Sequence, residues 1–279
     1  MDIVKAVVLG MVQGLTEFLP VSSSGHLVIA REILEAHEAL VSFDVLVHLG
    51  TLVSVILVFR RDVARLVAAA VGMAGDVVRG TSLGEAVSRD DARKTVLLIV
   101  VASVPTALIG FALGQVVERL FASKLAVGAF LIATGIVLWI SDRLRAREIP
   151  LSRLGTSGAL FVGMAQGLAV VPGFSRSGAT ISACLLLGLR REDAARFSFL
   201  LSIPVILGAA ALELPDLVIS GVGRGFGAPF LAGAAASIVS GYVAIHLVFS
   251  ALRRRRLTVF AAYTWLAGAA VLAWELIAG

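Results

Sequence analysis

The sequence predicts an all-α integral membrane protein, built as an inverted-topology repeat. Each half is expected to hold one re-entrant helical hairpin and three transmembrane helices. Three observations carry this reading. The 279 residues are 58% hydrophobic and 15% charged, with a mean hydropathy of +0.97; a soluble domain has about 45–50% apolar and about 25% charged residues. The apolar runs are continuous rather than alternating, which selects helices over a membrane barrel. The chain also repeats a motif: residues 10–26 and 163–179 align without a gap, matching at Gly10/Gly163, Met11/Met164, Gln13/Gln166, Gly14/Gly167, Leu15/Leu168, Ser22/Ser175, Ser24/Ser177 and Gly25/Gly178. Roughly one or two such matches are expected by chance, so the pair reads as an internal duplication.

The first element, 3–30, is apolar but interrupted by Pro20 and the serines at 22–24, and its halves are too short to span. A re-entrant hairpin fits that pattern. Spans follow at 42–60, 95–117 and 124–142. A second interrupted stretch, 157–190, is broken at Pro172-Gly173, and spans at 196–214, 226–250 and 257–278 complete the chain. Each span approaches the roughly 20 residues a bilayer requires. The whole of 1–279 is one membrane domain, with repeat one at about 1–145 and repeat two at about 155–279. No basic region precedes the first apolar stretch, so no removable signal peptide is expected.

Charge supplies the orientation. Arg60, Arg61, Arg65, Arg79, Arg89, Arg93 and Lys94 fall in the 60–94 loop, and Arg143, Arg145, Arg147 and Arg153 in 142–153. Arg190, Arg191 and Arg196 precede the 196–214 span, and four arginines occupy 253–256. The connections 31–41, 118–123 and 215–223 are poorer in positive charge. By the positive-inside rule the first group is cytoplasmic and the second lies outside, as does the C-terminus. Three crossings per repeat then invert the second repeat relative to the first, so two hairpin tips entering from opposite faces can meet near the midplane. The formal net charge of +5 follows from these loops and is no nucleic-acid signature. The lone Cys184 excludes a disulfide within the chain and reads as a buried apolar group.

Where the repeats differ, chemistry appears. Ionisable groups inside membrane segments are functional by default, and Glu17, His26 and Arg176 are of this kind. Ser175 and Ser177 are suited to cap a helix after Pro172-Gly173. With Arg176 and free N–H groups, that tip can bind a phosphate-like anion; sealing the tip through a Glu17–Arg176 pair is the alternative. The first copy has Ser23 in place of Arg176. Its i, i+3 spacing to His26 offers a nucleophile–base pair, while Ser22 and Ser24 read as capping serines. Gln13 and Glu17 share a helix face at i, i+4 and form a hard-oxygen site for Mg²⁺ or Ca²⁺; Glu17 as general base or as partner of Arg176 stays open. Asp44 and His48, also i, i+4, read as an interfacial pair without a direct role, with a support layer or proton path as the alternative. His37 and His246 read as structural, and Trp139, Trp265 and Trp274 as interface anchors or packing.

Gln13-x-x-x-Glu17, Pro20-Val-Ser-Ser-Ser-Gly-His26, Phe43-Asp44, Pro172-Gly-Phe-Ser-Arg-Ser-Gly-Ala-Thr180 and Phe197-Ser-Phe-Leu200 together resemble the undecaprenyl-pyrophosphate phosphatase family linked to bacitracin resistance. The resemblance covers essentially the whole chain. It implies hydrolysis of the C55 isoprenoid diphosphate to the monophosphate on the outer side of a bacterial inner membrane, recycling the carrier for cell-wall synthesis with a divalent cation. Glu17 then corresponds to the carboxylate near the metal, and Ser23 and His26 to the nucleophile and its acid/base partner. Arg176 corresponds to the diphosphate clamp, supported by Ser175, Ser177 and Thr180. Gln13 stands where other members have Glu or Gln, which shifts metal binding toward Glu17 and the substrate's own oxygens. The implied partners are a polyprenyl diphosphate and membrane lipids, with a second copy of the chain left open and no nucleic acid. The competing reading is an inverted-repeat transporter or flippase for an anionic lipid phosphate; it leaves Ser23, His26 and Glu17 without an obvious task. A purely structural membrane subunit leaves all the buried charges unexplained.

Overall fold

The computed structural model describes residues 1–36, 41–143, 147–219 and 227–278. They form α-helices throughout, apart from turns and short connections. The chain opens with α1 (Ile3–Phe18), whose first turn is capped by the Asp2 carboxylate accepting from the Lys5 N–H at 2.8 Å. Pro20 and the capping Ser22 end that helix and start α2 (Ser23–Ile33). Then come α3 (Val41–Val58), α4 (Arg60–Val78), α5 (Leu83–Ser88), α6 (Asp91–Phe121) and α7 (Lys124–Arg143). The second half holds α8 (Thr156–Leu168), α9 (Arg176–Leu186), α10 (Arg191–Ile219), α11 (Ala228–Arg253) and α12 (Leu257–Ala278).

Helices α6, α7, α10, α11 and α12 are long and apolar enough to cross a membrane, and α3 with α4, bent by 90° at their junction, makes a sixth when the pair is counted as one span. The chain is a multi-pass membrane protein, and its six long helices coincide with the six spans read from hydropathy.

The segment 60–94 departs from its reading as a loop. It contains α4 and α5. Arg60, Arg61 and Arg65 in its first turns mimic a polar connection, yet the residues that follow are Ala, Val and Leu at helical spacing. Ala64, Val67, Ala68, Val71, Ala74 and Val78 form one exposed stripe, while Ala69 faces inward. A helix perpendicular to a spanning helix, with such a stripe, has the character of an interfacial helix. Its far end is tied to the chain by Asp76, which accepts from Arg93 at 2.6 Å and from Arg89 at 2.5 Å. These donors, Arg93 foremost, hold the Asp76 carboxyl below the usual carboxylate range.

The two interrupted stretches are the helix pairs α1–α2 and α8–α9. Helix α1 packs along α11, and α8 along α6. Both contacts are backbone-close. A Cβ added at Gly10 would lie 2.1 Å from the Gly233 carbonyl oxygen, and one at Gly163 would lie 2.1 Å from that of Ala102. One turn later Gly14 meets Ser240 and Gly167 meets Ile109. The step from Gly233 to Ser240 on α11 is thus the step from Ala102 to Ile109 on α6. Helices α3 and α10 pack together, as do α7 and α12. In the latter pair Gly128 and Gly268 approach each other's carbonyl oxygens.

The largest apolar cluster lies beside the breaks. Phe18, the last residue of α1, meets Phe199 of α10 edge-to-face with ring centroids 5.4 Å apart, and Phe59 and Phe249 extend the aromatic group. Cys184 is buried in the same cluster. The tryptophans pack at helix edges: Trp265 donates from Nε1 to the Ile132 carbonyl at 3.2 Å, and Lys124 stands 5.3 Å over the Trp274 ring. Arg143 covers Trp139 at 3.8 Å.

Candidate active site

The two helix breaks meet. Ser177 Oγ, on α9, donates to the Leu19 carbonyl in the first break at 3.2 Å. Gly25 of α2 lies against Gly173 in the second break, and Gly178 of α9 lies against Pro20 in the first. Each break is built by local sequence. Pro20 ends α1, and Ser22, at φ +73°, accepts from the Gly25 N–H at 3.3 Å to begin α2. In the second break Gly173 adopts φ +89°, a conformation open to glycine, and Ser175 accepts from the Gly178 N–H at 3.0 Å to begin α9. Thr134 of α7 fastens that turn, donating to the Gly173 carbonyl at 3.1 Å and accepting from the Ser175 N–H at 3.0 Å.

This architecture delivers three side chains to one carboxylate. Glu17, in the last turn of α1, is nearly fully buried. Gln13 lies one turn earlier on the same face and donates from Nε2 to Glu17 Oε2 at 2.9 Å. Ser23, the first residue of α2, donates from Oγ to the same oxygen at 2.6 Å. Arg176, the first residue of α9, donates to Glu17 Oε1. The Arg176 side chain is 23% exposed against 4% for Glu17, so the guanidinium sits on the open side of the pair.

Two expectations need correction. The Ser23 hydroxyl does not pair with His26; its hydrogen bond goes to Glu17, and both ring nitrogens of His26 are engaged elsewhere. His26 Nδ1 lies 2.7 Å from the Ser22 carbonyl oxygen, and Nε2 lies 2.8 Å from the Tyr263 hydroxyl. The i, i+3 spacing places Ser23 and His26 on neighbouring positions, but the bend between α1 and α2 puts a stronger acceptor, the carboxylate, closer to the hydroxyl. Asp44 and His48 are likewise not paired through their side chains. Asp44 accepts from Arg31 of α2, while His48 Nδ1 lies 2.7 Å from the Asp44 carbonyl oxygen and its Nε2 is 3.9 Å from Glu17 Oε2. His48 therefore borders the site rather than standing apart from it.

Ser175, Ser177 and Thr180 are buried and hold the tip together. Thr180 donates to the Arg176 carbonyl at 3.0 Å and shares a 2.5 Å contact with Ser198 of α10. Of the residues expected at the diphosphate, Arg176 is the one facing the carboxylate. Sequence reasoning undervalued His48 and missed Tyr263, each brought in from a distant helix; for His48 the Asp44 spacing was a signal, for Tyr263 there was none. His246 bonds its own helix, with Nδ1 2.8 Å from the Tyr242 carbonyl oxygen. His37 lies outside the described residues.

No group of three His, Cys, Asp or Glu side chains is arranged around a common metal position among the described residues. The site does contain an idle hard oxygen. Gln13 Oε1 is buried without a hydrogen-bond partner. Its orientation is fixed, because turning the amide would aim Oε1 at the Glu17 carboxylate.

The family model described as Bacitracin resistance protein BacA matches residues 6–270 of the chain. The chain belongs to the BacA family. Relatives in this family named undecaprenyl-diphosphatase include one from Desulfosudis oleivorans, 45% identical over 273 residues and 98% of both chains. One from Alcanivorax borkumensis is 44% identical, covering 98% of this chain and 99% of its own. A third, from Methanobrevibacter smithii, is 42% identical over 96% of both. All three span essentially the full length, so the BacA match takes in both helix pairs and every residue of the Glu17 cluster.

Proposed function

We propose that this chain is a membrane undecaprenyl-diphosphatase, hydrolysing undecaprenyl diphosphate to undecaprenyl phosphate and inorganic phosphate. The observation that carries the reading is a buried carboxylate, Glu17, held between a hydroxyl, Ser23, and a guanidinium, Arg176. Membership of a family whose full-length relatives bear that name supports it. An anion carrier needs Arg176 but has no use for a serine hydrogen-bonded to a carboxylate.

The chemistry follows from the partners. Glu17 Oε2 takes the proton of Ser23 as Ser23 Oγ bonds to the terminal phosphorus. The bond from that phosphorus to the bridging oxygen breaks, its electrons leave with undecaprenyl phosphate, and a phosphoserine remains. Glu17 passes that proton to the departing undecaprenyl phosphate and is a carboxylate again. Water then attacks the phosphoserine phosphorus and gives its proton to Glu17, which hands it to Ser23 Oγ as the bond from phosphorus to that oxygen breaks, releasing inorganic phosphate and restoring the hydroxyl. Arg176 exchanges part of its contact with Glu17 for the diphosphate oxygens, neutralising charge where it develops. His26 takes no proton from Ser23: its ring, bonded to the Ser22 carbonyl and the Tyr263 hydroxyl, steadies the start of α2 that carries Ser23. Ser175, Ser177 and Thr180 serve the diphosphate by fixing the turn that aims Arg176.

Gln13 Oε1 and Glu17 are the groups that would hold Mg²⁺ or Ca²⁺, with the remaining ligands from diphosphate and water, and the unpartnered Oε1 supports that fit. When bound, the cation supplies charge neutralisation and orientation of the diphosphate.

The reading extends to topology. Helices α1, α2, α3, α6 and α7 form one unit and α8 to α12 its inverted counterpart, within one membrane domain. The matched approaches Gly10–Gly233 and Gly163–Ala102, the crossed contacts Gly25–Gly173 and Gly178–Pro20, and the reciprocal Gly128–Gly268 contact all support a two-fold relation. The helix pairs α1–α2 and α8–α9 are then re-entrant from opposite faces, with the arginine-rich connections cytoplasmic and the site open to the outer side. Every group named comes from one chain.

The test is phosphate release from detergent-solubilised protein given undecaprenyl diphosphate, with and without chelator. Release that chelator abolishes and Mg²⁺ or Ca²⁺ restores is expected; no release by the untreated protein overturns the proposal. Quenching after milliseconds should trap phosphate on Ser23. Near-normal turnover by Ser23→Ala would instead assign the attack to water.

A further inference from the structure

We infer that Tyr263 of α12 is a positioning residue for this reaction: its hydroxyl holds Nε2 of the His26 imidazole, whose tautomer the Ser22 carbonyl sets at Nδ1, and so fixes the ring beside Ser23. The inference rests on the phosphatase reading for its kinetics but not for its geometry. His26 Nδ1 lies 2.7 Å from the Ser22 carbonyl oxygen, which can only accept, so Nδ1 bears a hydrogen. In the neutral ring the lone pair is then on Nε2, 2.8 Å from the Tyr263 hydroxyl, which donates to it. The rings stack with centroids 5.5 Å apart and planes 12° from parallel. Should Nε2 gain a proton, the same phenol oxygen can accept from it. One side chain therefore holds the imidazole through both protonation states.

The location makes this hydrogen bond consequential. Tyr263 is 46% exposed on a helix of the membrane region, where a hydroxyl without a partner is costly, and the partner the structure gives it is His26. Helices α2 and α12 belong to opposite halves of the chain, so the bond crosses the seam between them beside Ser23. With Nδ1 committed to Ser22 and Nε2 to Tyr263, the imidazole has no lone pair for the Ser23 proton. That accounts for Ser23 pairing with Glu17. Tyr263 acts through His26 and need not touch the substrate.

The experiment compares Tyr263→Phe, His26→Ala and the double variant in the full chain. Tyr263→Phe keeps the stacked ring and removes the donor. It should lower kcat about 10-fold with KM nearly unchanged, the scale of one positioned hydrogen bond, and should cause no further loss in the His26→Ala background. Nitrogen-15 NMR of the His26 ring reads both bonds directly: Nδ1 should carry its hydrogen in either protein, while the Nε2 resonance should shift in Tyr263→Phe as its lone pair loses the phenol donor. Fluorotyrosine at 263 retains the fold and varies donor strength, so kcat should follow fluorination even where Tyr263→Phe lowers the melting temperature. Wild-type turnover in Tyr263→Phe, an equal loss in both backgrounds, or an unchanged Nε2 resonance overturns the inference. If the wild-type protein releases no phosphate, the phosphatase reading fails, while the Nε2 measurement still decides whether Tyr263 holds His26.

Discussion

Replacing Glu17 by Gln separates chemistry from architecture at the centre of the site. The carboxylate accepts three hydrogen bonds, from Gln13, Ser23 and Arg176. In Glu17→Gln one oxygen remains an acceptor and can keep Arg176, while the new NH₂ replaces the oxygen shared by Ser23 and Gln13. That NH₂ would face the Gln13 NH₂, but Gln13 has an idle buried Oε1. Rotating the Gln13 amide offers this oxygen to the new donor, and Ser23 can turn to accept as well. The hydrogen bonds are largely restored, so the stability loss is that of weakening one charge-assisted contact, about 1–3 kcal/mol. Alanine at 17 would leave the Arg176 charge unpaired and cost about 3–5 kcal/mol. Activity has no such repair. An amide cannot take the Ser23 proton, and general-base catalysis is worth about 10²–10⁴ in rate, or roughly 3–5 kcal/mol of barrier. Glu17→Gln should therefore unfold within a few degrees of wild type by detergent-based thermal melting, yet lose at least about 100-fold in kcat for phosphate release. Turnover within 10-fold of wild type would refute the assignment of Glu17 as the base.

Arg176→Lys keeps the charge but loses the planar fork; KM for undecaprenyl diphosphate should rise about 10-fold or more, and an unchanged KM would remove Arg176 from the substrate. Gly10→Ala and Gly163→Ala each force a Cβ to 2.1 Å from a backbone oxygen, so both should destabilise by a similar amount, about 1–3 kcal/mol each, seen as matching drops in melting temperature. Gly75→Ala, with open space around its Cβ, should be neutral or stabilising by about 0.5–1 kcal/mol. Asp76 has its carboxyl pKa depressed below the ordinary 3.8 by Arg93 and Arg89; its contribution is complete above the unfolded value and is lost as pH falls through the lower folded one. Hydrogen exchange in α5 should accelerate only in that acidic window, and Asp76→Asn should remove the pH step.

The long helices were legible because hydropathy and length are local properties: α6, α7 and α10 to α12 follow directly from apolar runs. The breaks were legible for the same reason, since Pro20, Ser22, Pro172 and Gly173 act on their own neighbours. Helix α4 was hidden by its composition. Arg60, Arg61 and Arg65 look like a connection until the 90° turn gives them a surface and gives Val67 and Val71 an outward face. At the site, Glu17, Ser23 and Arg176 could be nominated as charges and hydroxyls on duplicated motifs. The partner of Ser23 could not, because helical spacing governs only residues on one helix. Ser23 and Glu17 lie on two helices joined by a bend, and the bend angle is set by packing against α11 and α9. His48 and Tyr263 enter from α3 and α12, where no motif announces them.

The difference between the two copies explains why one carboxylate suffices. Ser23 and Arg176 occupy equivalent positions in the repeated motif. Under a two-fold relation, equivalent residues near the axis lie close to each other, as Gly128 and Gly268 do in the α7–α12 pair. Two equivalent positions on the axis would confront one another with the same side chain if the copies had stayed identical. Two arginines there would repel, and two serines would leave a dianionic ligand without a cation. One serine and one arginine, both donating to Glu17, place a hydroxyl and a cation across a single acceptor. The counterpart of Glu17 is Val170, and the counterpart of Gln13 is Gln166, which donates to Thr106 of α6 at 3.1 Å. The second copy has thus turned its amide to helix packing, and the first has kept the amide for the carboxylate. Restoring symmetry in either direction, with Ser23→Arg or Arg176→Ser, should preserve the paired breaks but abolish hydrolysis. Hydrolysis surviving either change would mean that the asymmetry does not make the site.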